Sequence, residues 1–142
     1  DFDDAIYWDE KNHMLYVAIA DVSSYVTPDC AIDKEARSRG FSIYFPHKSI
    51  PMLPRTLSEN ICSLKPDVDR LAYVCRLELD PATLEVKKHH FFEAIIRSRR
   101  RYNYDEIDAY LEKGISAAPD SDKETLSFIF PLKAVTERLR AE

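Results

Sequence analysis

Glycine is scarce in this chain of 142 residues: two occur, beside eight prolines. Most turns must therefore be made without a residue that takes positive φ freely. Cysteine is sparse as well. Cys30, Cys62 and Cys75 are odd in number and contain no C-x-x-C pair, so they are expected as buried free thiols of a protein kept in a reducing cytoplasm. No signal peptide and no apolar run near 18 residues occurs, which gives no sign of secretion or a membrane span. Internal repeats and low-complexity segments are absent. An excess of positive charge is lacking too: the net charge is -5, which argues against a generic basic coat for nucleic acid but leaves room for a basic groove on an acidic body. The chain also lacks an initial methionine, starts inside its most charged motif and stops at Ala141-Glu142 inside a helical pattern. It is expected to be a piece of a longer protein.

What is present suits one globular unit over residues 1–142, with 45% hydrophobic residues to supply a core. Ala5–Trp8 and Met14–Ala20 read as two strands of a hairpin around the polar turn 9–13. Tyr25–Pro28 reads as extended, because a residue before proline is pushed out of the helical region. Ala31–Ser38 reads as a short helix closed by Gly40. Ser42–Phe45 is a short extended segment, and Ile50–Pro54, with two prolines, a rigid extended loop. Leu57–Leu64 offers one or two helical turns begun by Thr56 or Ser58. Leu71–Leu79 and Leu84–Ile96 form the clearest hairpin, turned by Asp80-Pro81-Ala82-Thr83. Tyr104–Lys113 is a helix stopped by Gly114, 115–122 a loop, and Lys123–Arg140 a last helix bent or restarted at Pro131. The expected fold class is mixed α/β: a largely antiparallel sheet with helices packed on it.

Two clusters could carry chemistry. Asp1, Asp3 and Asp4 put three carboxylates in four positions. Held in a fold they raise one another's pKa unless a hard divalent cation such as Mg²⁺ or Mn²⁺ joins them. A solvated acidic tip is the plain alternative. A phosphatase-type Asp-x-Asp should follow a buried strand, and none precedes it. A calcium loop needs glycine at its sixth position, where Ile6 stands. A two-metal phosphodiester site, with ions roughly 3.5–4 Å apart, fits the ligand type best, although Asp4 points away from Asp1 and Asp3 in an extended chain unless the backbone bulges.

Arg97, Arg99, Arg100 and Arg101 with Tyr102 and Tyr104 form the second cluster. Arginines pair with phosphate oxygens and tyrosines stack on unpaired bases. A strand end with solvated arginines and tyrosines packed under the next helix explains the same residues. Tyr44-Phe45-Pro46-His47-Lys48 repeats this aromatic-then-basic character. His13, His89 and His90 are not at ligand spacing and read as surface histidines.

Six stretches together resemble the catalytic RNB domain of the RNase II / RNase R family of exoribonucleases: residues 1–6 (Asp-Phe-Asp-Asp-Ala-Ile), 17–23, 50–54 (Ile-Pro-Met-Leu-Pro), 57–66, 68–71 and 92–98. The matching stretches cover nearly the whole chain to about residue 113. The resemblance looks closer to RNase R than to RNase II, and it implies the N-terminal part of a larger catalytic domain. It also implies processive 3′→5′ hydrolysis of single-stranded RNA to nucleoside 5′-monophosphates with Mg²⁺, or Mn²⁺. Asp1, Asp3 and Asp4 match three of the family's four active-site aspartates, as metal ligands or as positioners of water. Tyr44 matches an aromatic that stacks on a base near the 3′ end, and Tyr104 a tyrosine that holds the terminal nucleotide. Arg97, Arg99 and Arg101 are candidate RNA contacts. The family's first aspartate, its catalytic arginine and a base-stripping glutamate fall outside residues 1–142, so the piece by itself is expected to be inactive. A partial domain should also expose apolar surface and tend to self-associate. The alternative is an RNA-binding or regulatory relative that keeps the fold without catalysis.

Overall fold

The computed structural model describes residues 2–140. Strand β1 (Asp4–Asp9) and β2 (Met14–Ala20) form the first hairpin, and β5 (Asp69–Leu79) and β6 (Val86–Arg97) the second. They join into one antiparallel sheet in the order β1-β2-β5-β6. Residues 21–68 leave the sheet between β2 and β5. They carry α1 (Ala31–Arg39), the two-residue strands β3 (Ile43–Tyr44) and β4 (Ser49–Ile50), and a π-helical turn at Leu57–Ile61. After the sheet come α2 (Tyr104–Lys113), α3 (Asp120–Leu126) and α4 (Ile129–Arg140). The mixed α/β class and the two hairpins follow the sequence pattern.

Alternation sorts the sheet into two faces. Ala5, Ala18, Ala20, Ala72, Val74 and Ala94 lie on one, paired through the registers Ala5↔Ala18, Ala18↔Val74 and Ala20↔Ala72. Small side chains here let Cys62 and Leu64 pack close against Ala20. The other face carries Trp8, Leu15 and Leu79, covered by Leu132 and Val135 of α4. Further along that face Ile6, Ile19, Tyr73, Phe91 and Ile95 are 48–70% exposed, so the expected apolar surface is present.

Four sequence expectations need correction. Tyr25 is not extended: its φ and ψ are -115° and -27°, and the Tyr25 and Val26 N–H groups both donate to the Val22 carbonyl. The proline restriction acts only on Thr27, the residue next to Pro28, and a 3₁₀ turn capped by Asp21 claims the rest. Ile50 belongs to β4, paired with Ile43, rather than to the proline loop. Residues 115–122 are not all loop, because α3 starts at Asp120. The last helix breaks at Ser127-Phe128, not at Pro131. Pro131 sits in the first turn of α4, where a missing N–H costs no helical bond.

The second hairpin shows how the chain turns without glycine. Leu84 takes φ +61°, a left-handed conformation that disfavours large side chains. Its side chain packs on the Trp8–Leu79 cluster, which offsets that strain. Across the turn Glu78 pairs with Lys88 and Leu79 with Val86, so Lys87 is the extra residue of a β-bulge. Its ammonium lies 2.6 Å from Asp80. Lys87, together with the Thr83 and Ala82 amides, holds the Asp80 carboxyl well below the usual carboxylate range. A lowered folded-state pKa gives stability above the unfolded value of about 3.9 and loses it as pH falls below that. Urea midpoints measured across acid pH are therefore expected to drop less steeply in Asp80→Asn than in the wild-type chain, and parallel profiles would contradict this.

Candidate active site and RNA-contact residues

The acidic motif sits where β1 begins. Asp4 pairs with Ile19, and the Asp3 carbonyl accepts from the Ala20 N–H at 2.8 Å. Phe2 is fixed on both sides of its peptide unit. Its N–H donates to Ser63 Oγ at 3.1 Å, and its carbonyl accepts from the Leu64 N–H at 2.8 Å. Ser63 is fully buried, and its own carbonyl accepts from Arg70 Nε at 3.0 Å. Asp1 lies outside the described residues.

Asp3 and Asp4 are exposed, and neither carboxylate enters an ion pair or a hydrogen bond among the described residues. The β1–β2 pairing shows no bulge, so alternation sends the two side chains to opposite faces. Asp3 shares a side with Cys62. Burial pushes the Cys62 thiol pKa up, and the charges of Asp21 and Asp3 push it further. Among the described residues, no three His, Cys, Asp or Glu side chains come together as a metal-binding group. The donor type itself suits Mg²⁺ or Mn²⁺: hard oxygens that no cation among the described residues neutralises. Mg²⁺ characteristically uses one or two protein carboxylates, with the rest of its shell from water and phosphate.

Asp21 is a buried carboxylate that sequence reading passed over. It accepts from the hydroxyls of Ser23 (2.5 Å) and Ser24 (2.6 Å), which draw its pKa down. The Asp-x-Ser-Ser spacing at the end of β2 was the available signal, since it suits a capping carboxylate.

The arginine cluster separates into engaged and unengaged members. Arg97, opposite Asp69 in the β5–β6 register, places Nε 2.7 Å from Asp69 Oδ1. Both side chains are 60% exposed, so solvent screens this pair and it adds little stability. Arg100 is held more firmly. It reaches Asp122 at 3.1 Å and Glu106 at 3.6 Å, and lies 5.0 Å from the Tyr102 ring centroid. Asp122 is buried, which makes Arg100 a strut between the post-strand segment and α3. Arg99 and Arg101 enter no ion pair or hydrogen bond among the described residues, and Arg101 lies over the Phe2 ring. Asp67, Arg99, Arg100, Arg101, Asn103 and Glu106 help to line a cleft of about 380 Å³.

The tyrosines separate in the same way. Tyr102 is half-buried beneath Arg100, and burial raises its phenol pKa. Tyr104, two residues on, is 90% exposed on the first turn of α2, and Tyr44 is 74% exposed on the β3–β4 hairpin. Among the described residues neither contacts the acidic motif. His13 packs edge-on to Trp8, and His89 and His90 lie against Phe91 and Phe92.

Asn103 fixes where Tyr104 stands. Its side chain accepts from the Glu106 N–H at 2.8 Å, and the Glu106 carboxylate accepts from the Asn103 N–H at 2.9 Å. This is a complete capping box. Asn103→Ala is expected to cost about 1 kcal/mol of stability in chemical unfolding, within a range of about 0.5–2.

The RNB domain family model matches residues 1–142. Ribonuclease R of Acidithiobacillus ferrooxidans is 51% identical over 113 residues, covering 78% of this chain and 26% of that protein. Ribonuclease R of Vibrio parahaemolyticus is 43% identical over 145 residues, covering 99% of this chain and 16% of that protein. A structure of Mycoplasma genitalium RNase R in complex with ribose-methylated single-stranded RNA matches with a TM-score of 0.89 at 33% identity, over 99% of this chain and 22% of that one. The chain thus spans about a quarter or less of the length of these relatives.

Proposed function

The chain belongs to the RNB domain family, and from that premise we propose that it forms part of a processive 3′→5′ exoribonuclease. Its substrate is single-stranded RNA, hydrolysed to nucleoside 5′-monophosphates with Mg²⁺ or Mn²⁺. The observation that carries this reading is the pair of unneutralised carboxylates, Asp3 and Asp4, on a strand end fixed by backbone hydrogen bonds. Asp69 and Asp122, by contrast, are paired with arginines, and Asp21 caps a turn.

Asp3, with Asp1, would hold the ion, and Asp4, on the opposite face, would join them only where the strand end kinks or bulges as the ion binds. When bound, Mg²⁺ supplies Lewis acidity and makes water a stronger nucleophile at neutral pH. The remaining work falls to the chain's own side chains. Tyr44 and Tyr104 present open rings on which bases stack without regard to sequence. Arg99 and Arg101 hold the backbone through charge-assisted hydrogen bonds, with Arg97 joining when phosphate displaces Asp69. Stacking combined with phosphate contacts is the sequence-tolerant grip that stepwise degradation requires. The three free thiols suit a reducing cytoplasm. The family's other active-site groups fall outside these residues, so the chain on its own is proposed to bind RNA without degrading it.

Mn²⁺ titration followed by electron paramagnetic resonance tests the ion site: Asp3→Asn/Asp4→Asn is expected to bind more weakly than the wild-type chain, and equal affinity would remove the metal role. Tyr104→Ala and Tyr44→Ala are each expected to lower affinity for a single-stranded oligoribonucleotide by about 1–3 kcal/mol. Mononucleotide release from labelled RNA by this chain with Mg²⁺ would refute its inactivity.

A further inference from the structure

We infer that Phe2 is a positioning residue: its ring sets the plane of the Arg101 guanidinium so that Arg101 grips an RNA backbone phosphate next to the acidic motif. The inference rests on the RNA-contact reading above and goes beyond it by joining the two clusters through one contact. The Arg101 Cζ lies 4.2 Å from the Phe2 ring centroid, against 5.0 and 5.6 Å for the other cation–ring contacts. No ion pair or hydrogen bond engages Arg101 among the described residues, so none of them supplies an acceptor for its five N–H donors. A guanidinium stacks through its face and recognises phosphate through its edge, and one use does not block the other.

The backbone that carries the ring is held by the Phe2 N–H bond to buried Ser63 Oγ and the Leu64 N–H bond to the Phe2 carbonyl. The cleft that Arg101 lines is held in place as well. The Asp67 N–H donates to the Ser98 carbonyl at 2.8 Å, and Pro66 bridges to Ser98, which holds the 66–67 loop beside the arginine segment. In the cleft between them the Arg100 charge is taken up by Asp122 and Glu106. Arg99 and Arg101 therefore remain to receive an anion, with Asp67 as the one opposing charge among the cleft residues that no ion pair engages. Phe2 directly precedes Asp3, so a phosphate on Arg101 is brought alongside the carboxylates proposed to hold the ion.

The test is fluorescence anisotropy of the 142-residue chain with a labelled oligouridylate, in EDTA, over a series of salt concentrations. Phe2→Leu and Arg101→Gln are each expected to weaken binding roughly two- to thirty-fold. The double variant should bind no more weakly than Arg101→Gln alone, because Phe2 acts only through Arg101. Phe2→Tyr, which keeps the ring, should recover most of the affinity lost in Phe2→Leu. Arg101→Lys should recover little, because an ammonium lacks the planar fork. Arg101→Gln should leave the unfolding midpoint unchanged, which separates grip from folding if Phe2→Leu proves unstable. Additive losses, or wild-type affinity in Arg101→Gln, would overturn the inference while the RNA-contact reading stands. Failure of the wild-type chain to bind RNA would overturn both.

Discussion

Pairing of β2 with β5 is the constraint on which the rest of the structure depends. Seven residue pairs, from Met14↔Glu78 to Ala20↔Ala72, close the excursion of residues 21–68 and join two hairpins that would be marginal apart. The same pairing sets the site. It brings the end of β2, and with it β1 and the acidic motif, beside the segment around Ser63 and Leu64 that precedes β5. It also fixes β6, whose end delivers Arg97 to Arg101. The cost of closing so long an excursion rises only slowly with its length. A packed alanine face, where Ala18, Ala20 and Ala72 meet, therefore suffices to hold together segments distant in sequence.

What could be read in advance follows from how local each signal is. The strands of both hairpins, and α2 with its Gly114 stop, rest on alternation, helical spacing and turn residues within a few positions, and they appear where expected, except that Leu84 and Glu85 belong to the turn before β6. The break between α3 and α4 was misplaced because Pro131 is the loudest local signal, yet proline is harmless in a first turn. The pairing of Ile43 with Ile50 was missed because two-residue strands leave no pattern to read. In the site the acidic motif was legible as composition, while the opposed faces of Asp3 and Asp4 became certain only with an unbulged register. Tyr102 and Tyr104 look alike in sequence. The capping box at Asn103 separates them, ending the extended segment between the two and turning only the second outward.

The charge pattern explains how an acidic chain can still offer a basic cleft. Acidic residues outnumber basic ones by 25 to 20, and several of the anions are placed against particular cations. Asp33 meets Arg37, Glu35 meets Arg39 and Glu59 meets Arg55 within helical turns, while Asp69 and Asp122 meet Arg97 and Arg100. Pairs as exposed as these add little stability. What bears on the cleft is local: Arg99 and Arg101, which line it together, are without an ion pair among the described residues. Net charge therefore says little about whether such a protein holds a polyanion.

The choice of partner for Arg101 matters for the same reason. A salt bridge to Asp3 would hold Arg101 equally near, but it would occupy the N–H donors proposed for phosphate and neutralise a carboxylate proposed to hold a cation. Binding RNA or metal would then have to break that bridge first. An aromatic face avoids both conflicts, because it attracts the guanidinium through its quadrupole and leaves every hydrogen-bonding edge open. With Phe2 between Asp1 and Asp3 in sequence, an apolar side chain inside an acidic motif keeps a cation close to carboxylates without letting the two neutralise each other.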